Sequence, residues 1–142
     1  MLTLLLALPF LAALVVALAR GASRRTLAWL AASAPLLGLA LLAALTPAVM
    51  AGAVPAVQIP WIPQIGLFLH LRLDGLAWVF AGLVLASGAL VVMYARYYLS
   101  SKDSASRLYA CLLLFMGSML GMVLSGNLLL LVVFWELTSI SS

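Results

Sequence analysis

Apolar residues run along this chain in long blocks parted by short polar stretches. The first block is Leu2 to Ala19, followed by Arg20, Arg24 and Arg25. The second runs from Leu27 to about Met50, with Pro35 inside it and Pro47 near its end. A third covers Leu76 to about Tyr94, a fourth Leu108 to about Leu124, and a fifth opens at Leu128. As helices rising about 1.5 Å per residue, blocks of this length are of the right order to cross a hydrocarbon core roughly 30 Å thick. Prolines are tolerated in such helices where neighbours satisfy the freed carbonyls. A secretory signal carries its positive charge before the apolar run. Here the arginines follow it, so the first block reads as a retained span.

The segment from Ala51 to Leu73 breaks the pattern. Pro55, Pro60 and Pro63 interrupt any helix, and Gln58, Gln64, His70 and Arg72 are polar. It reads as an external loop, partly extended, with Trp61 as an interfacial anchor. Asp74 stands just before the third span, where its carboxylate can cap the free amides of a helix start. The loop from Arg96 to Arg107 carries Lys102 and Asp103 as well, and Tyr94, Tyr97 and Tyr98 belong at headgroup level. Ser125-Gly126-Asn127 offers a turn. A single helix from Leu108 to Trp135 would be roughly 40 Å long, more than the core requires, so two spans are expected. A re-entrant fifth segment is the alternative.

Arginine and lysine concentrate after the first and third spans, whereas the long loop after the second has Arg72 alone. That alternation predicts five spans with the N-terminus outside. The expected fold is an all-α polytopic membrane helix bundle, one membrane domain over residues 1–142. Its spans lie at about 2–19, 27–50, 76–94, 108–124 and 128–142. The fifth has about 15 residues where a span needs about 20, so the last helix reads as truncated and the chain as a fragment of a larger protein.

Composition agrees with this class. Hydrophobic residues make up 68% of the chain and charged residues 7%, against about a quarter charged in soluble domains. The net charge of +4 is topological signal. No basic cluster interleaved with aromatics points to nucleic acid. Cys111, the single cysteine, can form no internal disulfide and reads as an inert membrane thiol. One histidine and one cysteine make no zinc or haem set, and no phosphate-binding glycine motif occurs, so neither a cofactor nor a metal is expected.

One residue stands out chemically. Glu136 falls about eight residues into the fifth span, roughly 12 Å deep. An acidic side chain there costs about 2.5–3.5 kcal/mol on insertion, and such residues face a protein interior or a water path. Glu136 is therefore the candidate proton-relay group. Ser139, three residues on, shares its helix face and is a candidate relay hydroxyl, and Thr138, Ser141 and Ser142 add hydroxyls nearby. Snorkelling, or a bond to a neighbouring helix, is the plainer reading of Glu136. Lys102 and the arginines all sit at loops or boundaries, so a partner for Glu136 is expected from outside this sequence. His70, Arg72 and Asp74 form a polar cluster at the outer boundary, either a capped helix start or the mouth of an ion path. Gly117 and Gly121 make a small-residue spacing that suits close helix packing.

Four stretches carry a resemblance: HLRLDGLAWVF from His70, YARYYLS from Tyr94, LYACLLLFMGSMLGMVLSGNLLLL from Leu108, and VVFWELTSISS to Ser142. Together they resemble the N-terminal part of the A-type subunit of Mrp-type multisubunit sodium/proton antiporters. That protein is similar to the largest antiporter-like subunit of respiratory complex I. The resemblance implies a longer protein with two inverted repeats, working with other antiporter subunits to exchange H+ for Na+, and with no targeting peptide in view the bacterial inner membrane is the expected location. It places the family's span-five glutamate on Glu136, paired in the family with a lysine on a later broken helix. It also leads one to expect an aspartate where Gly126 stands. The alternatives are a proton-pumping membrane subunit of complex I or of a membrane hydrogenase, and a truncated membrane fragment that transports nothing.

Overall fold

The computed structural model describes residues 2–19, 21, 23–52, 54, 56–65, 67–98, 105–126 and 128–141. Five helices follow the five apolar blocks: α1 (Leu2–Leu18), α2 (Arg24–Met50), α3 (Gly75–Tyr98), α4 (Ala105–Leu124) and α5 (Leu128–Ser141). Three of them, α2, α3 and α4, are long and apolar enough to cross a membrane, while α1 and α5 are apolar helices of 17 and 14 residues. The all-α expectation holds for the bundle, with one addition at its end.

That addition corrects the loop expected at Ala51 to Leu73. Strands β1 (Ala56–Ile62) and β2 (Leu67–Arg72) form an antiparallel hairpin closed by a 3-10 turn at Pro63–Ile65. Ala56 pairs with Arg72, Gln58 with His70 and Pro60 with Phe68, and the register slips between Pro60 and Ile62. A two-stranded ribbon is all edge, so a proline, which lacks an N–H, can sit in it at the cost of one irregularity. The prolines forbid helix here without forbidding strand. The side chain of Trp61, expected as an interfacial anchor, lies outside the described residues, as do Arg20, Lys102, Asp103, Asn127 and Ser142.

Helix boundaries differ from the hydropathy blocks where charged or aromatic residues flank them. Ser23 caps α2, its hydroxyl oxygen accepting from the Thr26 amide at 3.2 Å, so Arg24 and Arg25 belong to the first turn of the helix. Helix α3 continues through Tyr98 with Arg96 in its last turn, and Arg107 lies within the first turn of α4. The expected loop is shorter than its charges suggested. Long basic and aromatic side chains reach headgroup level from within a helix, so charge need not end one.

Helix α4 is the central element and packs against α1, α2, α3 and α5. Its glycines explain how. A Cβ on Gly117 would stand 3.0 Å from the Phe10 ring of α1, and one on Gly121 would strike the Phe134 ring of α5. The GxxxG spacing thus seats two aromatic rings from two different helices. Buried Ser106 donates to the Val16 carbonyl at 2.7 Å, joining α4 to α1 across the sequence. The Trp78 indole N–H donates to the Thr46 hydroxyl at 3.0 Å and joins α3 to α2. Arg25, Arg96 and Arg107 gather at one end of the bundle, and the hairpin with His70, Arg72 and Asp74 caps the other.

Candidate functional site

Helix α5 forms because a run of leucine, valine and phenylalanine after the Ser125-Gly126 bend contains neither proline nor glycine. It buries Leu130 and Phe134, one turn apart, on the α4 side. Leu137 is half-buried against the same core, and much of the remaining surface points away from the bundle. Leu128, Leu129, Val132, Trp135 and Ile140 are exposed, and so are Glu136 and Ser139. Glu136 therefore sits two turns into α5, roughly 12 Å from its start, on the outward face. The one salt bridge among the described residues is elsewhere, and no described side chain pairs with this carboxylate.

Two of the neighbouring hydroxyls bond to the helix backbone. Thr138 donates to the Trp135 carbonyl at 2.5 Å, and Ser141 donates to the Leu137 carbonyl at 2.8 Å. Such back-bonds commit the hydroxyl hydrogens to the helix itself. Ser139 shares the exposed face of Glu136, three residues along. The structure thus brings Glu136 and Ser139 to one stripe of α5.

The polar cluster at the hairpin end is built differently. Asp74 caps α3, with Oδ1 accepting from the Ala77 amide at 2.7 Å, while Oδ2 meets Arg72 Nη2 at 3.2 Å. Arg72 and Asp74 line a 200 Å³ cleft together with Leu76, Ala77, Phe80, Val123 and Ser125. His70 belongs to a second contact. Its carbonyl accepts from the Gly126 amide at 2.6 Å, and Leu71 bridges Ser125, so β2 is sewn to the α4–α5 bend. The His70 ring occupies the space that a side chain at 126 would need, since a Cβ there would lie 2.7 Å from it. This accounts for glycine where the resemblance leads one to expect aspartate. Sequence reasoning missed the pairing because the two positions lie far apart in the chain and neither advertises the other.

No family model matches the chain. Curated relatives do. A protein of Rhizobium meliloti named as a probable K+/H+ antiporter A/B subunit is 45% identical over 142 residues, covering 100% of this chain and 14% of the relative. The Na+/H+ antiporter A subunit of Alkalihalophilus pseudofirmus is 49% identical over 92 residues, 64% of this chain and 11% of the relative. The Na+/H+ antiporter A1 subunit of Staphylococcus aureus is 40% identical over 136 residues, 95% of this chain and 17% of the relative. The chain thus spans a small part of the length of each. Among solved structures, the Mrp complex of a Dietzia species superposes with a TM-score of 0.77 at 34% identity, over 99% of this chain and 15% of that one. An archaeal membrane-bound sulfane sulfur reductase superposes at 0.83 with 20% identity, covering 97% of this chain and 21% of that one, and is a likeness of fold. With bacterial relatives of this kind and three membrane-length helices, the chain is a multi-pass protein of the bacterial plasma membrane.

Proposed function

From its homology to part of the A-type subunit of the Mrp-type multisubunit antiporters, we propose that this chain is a portion of a protein that moves protons in exchange for a monovalent cation. The observation that carries the reading is the place of Glu136. A carboxylate two turns into an apolar helix, on the face that its own bundle leaves open, is expensive unless something outside these residues receives it. The receiver in this reading is a cationic side chain from another segment of the longer polypeptide or from a neighbouring subunit. Glu136 then takes a proton from one side of the path and releases it to the other, and Ser139 lends a hydroxyl that can accept and donate. Asp74 and Arg72 hold the start of α3 at the outer end. The chain is one membrane domain of a longer polypeptide, and its partners are other subunits of a membrane hetero-oligomer. Such a protein is a secondary transporter and catalyses no reaction of its own.

The names of the relatives divide over the cation, K+ in one and Na+ in others. The exchange is therefore one of a monovalent cation for protons, with Na+ as the first cation to test. The fold shared with a respiratory membrane complex supports a second reading, in which the same glutamate moves protons driven by redox chemistry in other subunits. Genes beside this one separate the two: small antiporter subunits or redox subunits.

The direct test is Glu136→Gln in the full-length protein within its complex, reconstituted in vesicles with a pH-sensitive dye. Cation-dependent proton flux should fall at least tenfold, with Glu136→Asp retaining part of it. Flux at the parent level in Glu136→Gln would overturn the relay assignment.

A further inference from the structure

Arg96 ends α3 in an unusual posture. Its guanidinium lies 6.0 Å from the ring centroid of Trp29 on α2 and 5.6 Å from that of Tyr97. Both rings are open to the surroundings, Trp29 being 58% and Tyr97 80% exposed. Arg25 stands one turn before Trp29 on the same face of α2 and is exposed too. Two arginines and two aromatic rings thus share the outer corner where α2 begins and α3 ends. From that corner the same faces continue as exposed Leu36 on α2 and exposed Met93 on α3.

The chemistry of the corner is specific. A guanidinium laid over a ring keeps its N–H edge in plane, so its donor fork stays available. The natural acceptor for such a fork is a phosphate or carboxylate, taken through paired bonds. Among the described residues the acidic side chains are Asp74 and Glu136. Asp74 is at the other end of α3, about 33 Å away along the helix, where it meets Arg72. Glu136 lies on α5. No described carboxylate stands at the corner. The exposed rings set it at headgroup level, and the face leading away from it is apolar, as a surface against acyl chains must be.

We propose that this corner binds an anionic phospholipid, with the phosphate held by Arg96 and Arg25, the Trp29 and Tyr97 rings at the headgroup boundary, and the acyl chains along Leu36 and Met93. Basic sites between membrane helices recognise anionic headgroups in this way. The site is independent of the transport reading, since it rests on the α2–α3 corner and not on Glu136.

The test is lipid retention. The full chain is taken in mild detergent from membranes holding equal phosphatidylglycerol and phosphatidylcholine, and the co-purified lipid is quantified by mass spectrometry. Phosphatidylglycerol should be enriched several-fold over the bulk ratio. Arg96→Ala should bring the ratio back towards one, whereas Arg107→Ala, which removes the same charge from α4 at the same end, should leave the enrichment in place. If Arg96→Ala loses helical circular dichroism, Arg96→Lys replaces it, since it keeps the charge and loses the planar fork. Its enrichment should fall with helicity unchanged. Absence of enrichment in the parent chain overturns the proposal. Equal losses in the Arg96 and Arg107 variants also overturn it, because they would mean diffuse charge attraction.

Discussion

At the scale of single residues, the contact between His70 and Gly126 is the most instructive. The imidazole fills the space over residue 126, and the Gly126 amide donates to the His70 carbonyl. Any side chain at 126 must displace the ring, and overpacking of this kind costs about 1–3 kcal/mol. Gly126→Asp should therefore lower the thermal unfolding midpoint in detergent. His70→Ala in the same chain should return most of the loss, giving a coupling in the double-mutant cycle that distant pairs lack. Additive effects would mean that the ring and position 126 do not share space. Asp74 tells the opposite story about legibility. A carboxylate one residue before an apolar helix announces a cap, and Asp74 Oδ1 does accept from the Ala77 amide. A cap is local and readable. A space shared by a strand and a distant bend is neither.

At the scale of elements, hydropathy located every helix because the bilayer demands length and apolarity before anything else. It misplaced the ends of α2 and α3, where Ser23 and the tyrosines around Arg96 carry the helix past the last apolar residue. It also missed the hairpin, because proline is a stronger signal against helix than against a two-stranded ribbon. The glycines of α4 were readable as a packing face, but which rings they seat was not: Phe10 lies far earlier in the sequence and Phe134 on the next helix. Gly121→Val should push the Phe134 ring off α4 and loosen α5, since α5 buries little besides Leu130 and Phe134. Limited proteolysis should then cut α5 faster than in the parent, while Gly82→Val, where the nearest side-chain atom is Leu42 Cδ2 at 3.6 Å, should have the milder effect. Equal cutting in both variants would mean that α5 is not held through Gly121.

At the scale of the whole molecule, one end of the bundle is basic and aromatic and the other carries the hairpin. By the positive-inside rule this polarity predicts an orientation with the basic end in the cytoplasm and the hairpin and N-terminus outside. Single cysteines in a Cys111→Ser background test it. His70→Cys should react with an impermeant maleimide added to intact cells, and Lys102→Cys only after the membrane is opened. The reverse pattern would invert the topology and with it the direction in which Glu136 faces the two compartments. The sequence could name Glu136 as the costly residue. It could not show that α5 turns this residue away from α4, because facing is decided by which side of α5 Phe134 and Leu130 occupy.

The stitch between β2 and the α4–α5 bend also has a consequence for biosynthesis. Gly126 leaves the ribosome about 56 residues after His70, a delay of roughly 3–11 s at ordinary elongation rates of about 5–20 residues per second. Through that interval the hairpin exists without the bend that closes on it. Leu71, fully covered in the finished fold, lacks its bridge to Ser125 until α4 has been threaded. A nascent chain stalled shortly after α3 should therefore offer this ribbon to whatever escort waits on the outer side, and one stalled after α5 should not.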